Sequence, residues 1–159
     1  MASEKELQLY EFICETLTEA QIVFIRDDRV LFANCRKNGD KFPVSCVFAV
    51  NKTHEYLQCL SLFAVGNEYS CVNELSVIAN AYNARAPRGR IDIDIFSNMV
   101  HYRNVACYKG REITKSFVSD FIENAVTELL KLDRLFSGYT QGEIDFETVL
   151  SSLGGEGAV

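Results

Sequence analysis

Only two prolines, Pro43 and Pro87, and two histidines, His54 and His101, occur in the 159 residues of this chain. The scarcity of proline, together with 48% hydrophobic and 11% aromatic content, excludes a disordered polymer and implies a packed globular one. No apolar run approaches the roughly 18 uncharged residues that a membrane helix needs. The opening Met1-Ala2-Ser3-Glu4-Lys5-Glu6 lacks the basic, then apolar, start of a signal peptide, so a cytoplasmic location without membrane contact is expected. The six cysteines, at 14, 35, 46, 59, 71 and 107, include no two closer than eleven residues. Without the close CxxC pairs that structural zinc sites use, neither a metal site nor a disulfide framework is expected. All six read as reduced packing residues, because free cysteine behaves as a small hydrophobe, and Cys46, Cys59 and Cys107 fall within apolar strand segments. The alternative is a reactive thiol at Cys35, where the adjacent Arg36 would lower the pKa.

An excess of positive charge is also missing. The net charge is -6, distributed as -4 over residues 1–25, +2 over 26–41, -2 over 42–83, +4 over 84–111 and -6 over 112–159. Acidic termini therefore flank a basic centre. Phosphate binding needs a basic footprint over the whole binding face, so nucleic acid is not expected as a partner. The length fits one domain able to bury roughly 70% of its unfolded surface. We place that domain at residues 1–138 and a C-terminal extension, with a short helix and a disordered tail, at 139–159.

Apolar spacing sets the order of elements. Leu7, Tyr10, Ile13, Cys14 and Leu17 recur at helical intervals over residues 4–20, with acids early, where the helix dipole favours them. Short β-type runs over 22–25 and 30–33 flank Asp27-Asp28, which reads as a tight hairpin. Beyond a polar loop with Asn38-Gly39-Asp40, residues 44–50 and 56–65 form two more strands joined by Asn51-Lys52-Thr53-His54. Both are apolar on both faces, which predicts central strands covered on one side by helices and on the other by something else, such as a second copy of the protein. Ser70 is the expected N-cap of a second helix with a buried stripe of Val72, Leu75, Ile78, Ala79 and Tyr82, and Pro87 ends it. Over residues 90–96, Ile91, Ile93 and Ile95 face one way while Arg90, Asp92 and Asp94 face the other. A turn at Ser97-Asn98 returns a second strand over 99–108. Thr114 or Ser116 then caps a long amphipathic helix whose apolar face, Val118 to Phe136, is about 30 Å long, and Gly138 is expected to stop it. The fold class is α+β: helix, antiparallel strands, helix, two-strand hairpin, long helix, with helices on one face of a curved sheet.

Chemistry-bearing constellations are few. Neither histidine has a nucleophile or ligand motif near it, and both read as surface or interface residues. Asp92 and Asp94 could pair to hold a hard cation, although strand alternation alone accounts for them. Arg85, Arg88 and Arg90 form a compact basic cluster able to grip a carboxylate or phosphate through planar guanidinium forks, or a solvated linker. Residues 154–157, Gly-Gly-Glu-Gly, follow no strand and open no helix, so they do not form a phosphate loop. No catalytic residue set, cofactor or metal is expected, and the chain reads as a non-enzyme.

Asn83, Pro87, Gly89, Arg90, Asp92 and Thr114, with the helix, linker and hairpin around them over residues 73–110, resemble the YbjN-type domain family. That pattern has a helix ending in asparagine, a proline and glycine linker, a Gly-Arg strand with alternating acids, a return strand and a helix-starting threonine or serine. Arg88 stands where the family often has an aromatic, and the chain extends further after residue 138. The family is labelled in places as sensory transduction regulators, and its fold is similar to type III secretion chaperones of the Tir chaperone class. The resemblance implies a secretion chaperone-like sheet and a chaperone-like or adaptor homodimer that binds a partner polypeptide. The alternative is a small-molecule or signal sensor using Arg85, Arg88 and Arg90.

Overall fold

The computed structural model describes residues 4–27, 30–35, 44–64, 72–86, 88–94, 96 and 99–154. The expected cap at Ser70, the loop at Asn38-Gly39-Asp40, the turn at Ser97-Asn98, Pro87, the tail beyond 154 and the side chain of Cys35 lie outside them. The described chain runs α1 (Glu4–Glu19), β1 (Val23–Arg26), β2 (Val30–Cys35), β3 (Val44–Asn51), β4 (Tyr56–Ala64), α2 (Val72–Arg85), β5 (Arg90–Asp94), β6 (Met99–Cys107), α3 (Lys115–Thr140) and α4 (Phe146–Gly154). The strands form one antiparallel sheet in the order β1-β2-β3-β4-β6-β5. Short links join β1 to β4 as a meander. The α2 crossover then carries the chain to the far edge, from which β6 returns to pair with β4.

Register decides which residues become core. Cys46, Ser61, Tyr102 and Ile91 lie in one row across β3, β4, β6 and β5, and all four are buried. This face packs against α1, through Leu9, Ile13 and Leu17, and against α3, through Val118, Phe121 and Leu129, all nearly inaccessible. The Phe48 and Phe121 rings meet edge to face at 6.4 Å and 77°. Each fully buried side chain of this size contributes about 1.5–3 kcal/mol of transfer free energy, so the core lies between the sheet and its helices. No described helix is long and apolar enough to cross a membrane.

The caps of α3 divide between expectation and correction. Thr114, in extended geometry, caps its N-terminus by accepting the Phe117 amide at 3.2 Å. Gly138 does not stop the helix, which continues to Thr140. Gly138 is buried inside it because Ile144 packs against its backbone: a β-carbon there would stand 3.2 Å from the Ile144 side chain. The stop is built by Gly142, at φ +71°, and by the amides of Glu143 and Ile144, which donate to the Gly138 carbonyl. Gly142 takes this left-handed backbone without steric cost. Asp145 then caps α4 by accepting the Thr148 amide at 2.7 Å. Hydrogen bonds from Thr148 hold its carboxyl below the ordinary carboxylate value. With Asp145 capping it, α4 packs along α2 and places Val149 in the core.

Asn83, on α2, closes the outer edge of β5. Its Nδ2 donates to the Ile91 carbonyl at 2.8 Å while its Oδ1 accepts the Ile91 amide at 2.9 Å. One side chain thus supplies the two hydrogen bonds that a neighbouring strand would supply. Asn83→Ala leaves both backbone groups unpaired in a partly buried setting, and should cost about 2 kcal/mol at roughly 1 kcal/mol per bond. Urea denaturation should show a lower midpoint at unchanged slope, and an unshifted midpoint would contradict this role.

Candidate functional site

Every second strand residue faces away from the helices, and this outer face carries the candidate site. Ile25 pairs with Phe32, Phe32 with Val47, Val47 with Leu60, Leu60 with Arg103, and Arg103 with Arg90, which places these six positions on one row of the outer face. Val23, Ile25, Leu62 and Val105 stand on the same face at 71%, 68%, 57% and 50% exposure, while Val47 and Leu60 are half-buried. No described element covers them. Apolar side chains scattered singly over a surface need no explanation, but several large ones left exposed on one uncovered sheet face point to an interaction surface. Toward the β5 edge this face turns polar, through Arg90 and Asp92 of β5 and His101 and Arg103 of β6.

The basic residues singled out in the sequence divide between elements. Arg85 closes the last turn of α2, where a cation complements the helix dipole. Arg88 is exposed in the linker, and Arg90 is exposed on β5, directly opposite Arg103. The strongest basic pairing is therefore Arg90 with Arg103, across the hairpin. Sequence reading missed it because cross-strand register is not local information. Asp92 and Asp94 do share the outer face. Asp94, however, accepts the Phe96 amide at 2.9 Å and shapes the turn, while Asp92 lies opposite His101. Among the described residues no group of acids, histidines and cysteines is arranged to hold a metal ion. His54 stacks on Tyr56, with ring centroids 6.2 Å apart.

Four of the cysteine assignments fall among the described residues. Cys46 and Cys59 are buried as expected. Cys107 is a correction: it is exposed because it shares the outward parity of Arg103 and Val105 and pairs with Tyr56. Partial burial raises the pKa of the Cys14 thiol, slightly offset by Arg26, and so keeps it protonated and unreactive at neutral pH.

A buried polar cluster went unread in the sequence. Asn104, only 1% exposed, donates through Nδ2 to the Tyr102 hydroxyl at 3.3 Å, and its Oδ1 has no hydrogen-bond partner. Beside it, the Tyr82 hydroxyl donates to Glu128 of α3 at 3.2 Å. Burial pushes both tyrosine pKa values well above the ordinary phenol range. These hydroxyls stay neutral; the Tyr82–Glu128 bond ties α2 to α3, and the Asn104–Tyr102 bond lies within β6. The one sequence signal was that Asn104 interrupts the apolar inward positions of β6.

No family model and no curated protein sequence matches this chain. Solved structures do match its fold. One is YbjN from E. coli, described as a proposed transcription regulator, at TM-score 0.60 and 12% identity, covering 83% of this chain and 93% of that one. Another is the HopA1-SchA chaperone-effector complex, at TM-score 0.59 and 11% identity, covering 86% of this chain and 98% of that one. The chain therefore has the fold shared by YbjN and a chaperone-effector structure. This agrees with the α+β class expected from the order of its elements and with the secretion chaperone-like architecture that the resemblance over residues 73–110 implies.

Proposed function

We propose that this chain is a non-enzymatic protein-binding module, a chaperone-like or adaptor homodimer of the cytoplasm that takes up a partner polypeptide on its outer sheet face. The observation that carries this reading is that Val23, Ile25, Leu62 and Val105 stand at 50–71% exposure on one sheet face that no described helix covers. An apolar centre with a polar, charged rim is the anatomy of a protein interface. Support also comes from fold likeness to a structure of a chaperone with its effector. The test is affinity capture of the tagged protein from its native lysate, with light scattering to size the oligomer. One stoichiometric polypeptide on a dimer is expected. A strict monomer at micromolar concentration overturns the dimer, and a dimer that captures nothing overturns the polypeptide partner.

A second reading, a sensor of small anionic signals, has one observation in its favour. Arg90 and Arg103 stand directly opposite each other on an exposed face, and like charges so placed repel unless an anion bridges them. Arg88 stands in the linker just before β5 and completes the basic group around Arg85 and Arg90. Under this reading a thermal-shift screen of nucleotides and acidic metabolites yields a stabilising ligand whose effect Arg88→Ala removes. A flat screen removes this alternative.

A further inference from the structure

The two edges of the sheet are finished differently. β5 ends one side, and Asn83 occupies its outer edge by bonding both the amide and the carbonyl of Ile91. β1 ends the other side. Among the described residues no strand pairs with its second edge, and no backbone group outside the sheet bonds to it. Such a row of amides and carbonyls is a template for another strand, and chains that leave an edge unpaired blunt it with proline, lysine or a bulge. Val23-Phe24-Ile25-Arg26 has neither proline nor lysine, and its pairing with β2 runs without a bulge.

The side chains of β1 divide by parity. Phe24 lies in the row of Ala33 and buried Cys46, and both Ile22 and Phe24 pack against the core, so the strand is anchored from its helical side. Val23 and Ile25 face outward and are the most exposed aliphatic side chains of the described strands. Val47 and Leu60, on the same face but flanked by strands on both sides, are half-buried. What Val23 and Ile25 lack is a lateral neighbour.

We propose that β1 is an isologous dimer seam: it pairs antiparallel with β1 of a second copy about a two-fold axis at Phe24, perpendicular to the sheet, and joins two six-stranded sheets into one. A two-fold interface presents the same strand twice and must be complementary to itself. Residues directly opposite in an antiparallel pair share a face, so only a register that matches parity keeps the helices of both copies on one side. With the axis at Phe24, Val23 of each chain meets Ile25 of the other, and Arg26, the one charge of β1, meets Ile22. An axis at Val23 would instead set Ile25 against Gln21, and an axis at Ile25 would set Val23 against Asp27. The Phe24 register thus gives the two exposed aliphatic residues each other as neighbours and brings no like charges together. Both outer faces then lie on the same side, which widens the surface offered to a partner polypeptide. This assignment rests on the homodimer reading above and names its surface.

The test is charge introduction followed by rescue. Sedimentation velocity across a concentration series compares the full chain with Val23→Lys/Ile25→Lys and with Val23→Lys/Ile25→Glu. The first variant sets lysine against lysine across the seam and should raise the dimer dissociation constant tenfold or more. The second sets lysine against glutamate and should return the constant to within about threefold of the parent, a recovery that a merely misfolded variant cannot show. Hydrogen exchange supplies a backbone readout. Amides within residues 22–26 should exchange more slowly as the concentration passes the dissociation constant, while the Ile91 amide, already held by Asn83, should not respond. A parent dimer indifferent to the lysine pair, or a lysine–glutamate variant no tighter than the lysine pair, overturns the β1 seam while the homodimer reading stands. A parent that is monomeric throughout overturns both, and one that then loses its captured polypeptide in the lysine pair assigns this edge to the partner's strand instead.

Discussion

Gly89→Ala is expected to destabilise the protein by about 3 kcal/mol, through two costs that add at one atom. Gly89 has φ +77°, and a β-carbon built on it would stand 2.9 Å from Cε2 and 3.0 Å from the hydroxyl oxygen of Tyr102. The left-handed backbone alone costs an L-residue roughly 1–2 kcal/mol, and forcing an extra carbon into a packed site typically costs a further 1–3 kcal/mol. Tyr102 cannot easily yield. Its ring is fully buried in the middle of the inner sheet row, and its hydroxyl accepts from Asn104. At roughly 2–4 °C of melting temperature per kcal/mol for a domain of this size, thermal unfolding should fall by about 6–12 °C. Gly110 supplies the control: its φ is +68° but nothing lies within 4 Å of the added carbon, so Gly110→Ala bears the backbone cost alone. Equal losses at the two glycines would show that the Tyr102 contact contributes nothing.

Gly89 also shows what a sequence can and cannot disclose. As part of the linker pattern with Asn83 and Arg90 it was visible as a position of interest. The reason for it, a tyrosine thirteen residues further on in a neighbouring strand, is tertiary. Elements with an intact period were legible: Ile91 is buried with Arg90 and Asp92 exposed on either side, and the expected apolar stripe of α3 is buried from Val118 to Phe136. Where the period was broken the reading slipped. In β6 the polar Asn104 points inward and the apolar Val105 outward, which blurs parity and hid both the exposure of Cys107 and the buried polar cluster. Gly138 misled because a glycine near a helix end has two uses, chain reversal and close approach, and only the position of Ile144 distinguishes them. The candidate surface was legible as a surplus of apolar strand faces. Its composition was not, because Arg90 meets Arg103, and Val47 meets Leu60, only through register.

Paired substitution on that surface should separate binding from folding. Leu62, on β4, and Val105, on β6, lie on adjacent strands of the open face at 57% and 50% exposure, with Leu60 and Arg103 paired between them. Leu62→Asp/Val105→Asp removes no core contact, so stability should change by no more than about 2 kcal/mol, the span of strand propensity at two positions. Binding should respond far more strongly. A partner seated on this face would bury two carboxylates without counterions, and burying an unpaired charge is among the largest penalties a surface can present. Loss of affinity for the captured polypeptide by at least about 100-fold, close to 3 kcal/mol, is the expected result in a titration at a temperature where the variant is fully folded and its oligomer in place. Leu7→Asp is the matched control, since Leu7 is also 50% exposed but stands on α1, in the helical layer. If Leu7→Asp abolished binding and the paired variant did not, the helices would be the recognition surface. If the paired variant alone does, an apolar sheet face left open by its own helices acquires a physical reason: its cover is another polypeptide.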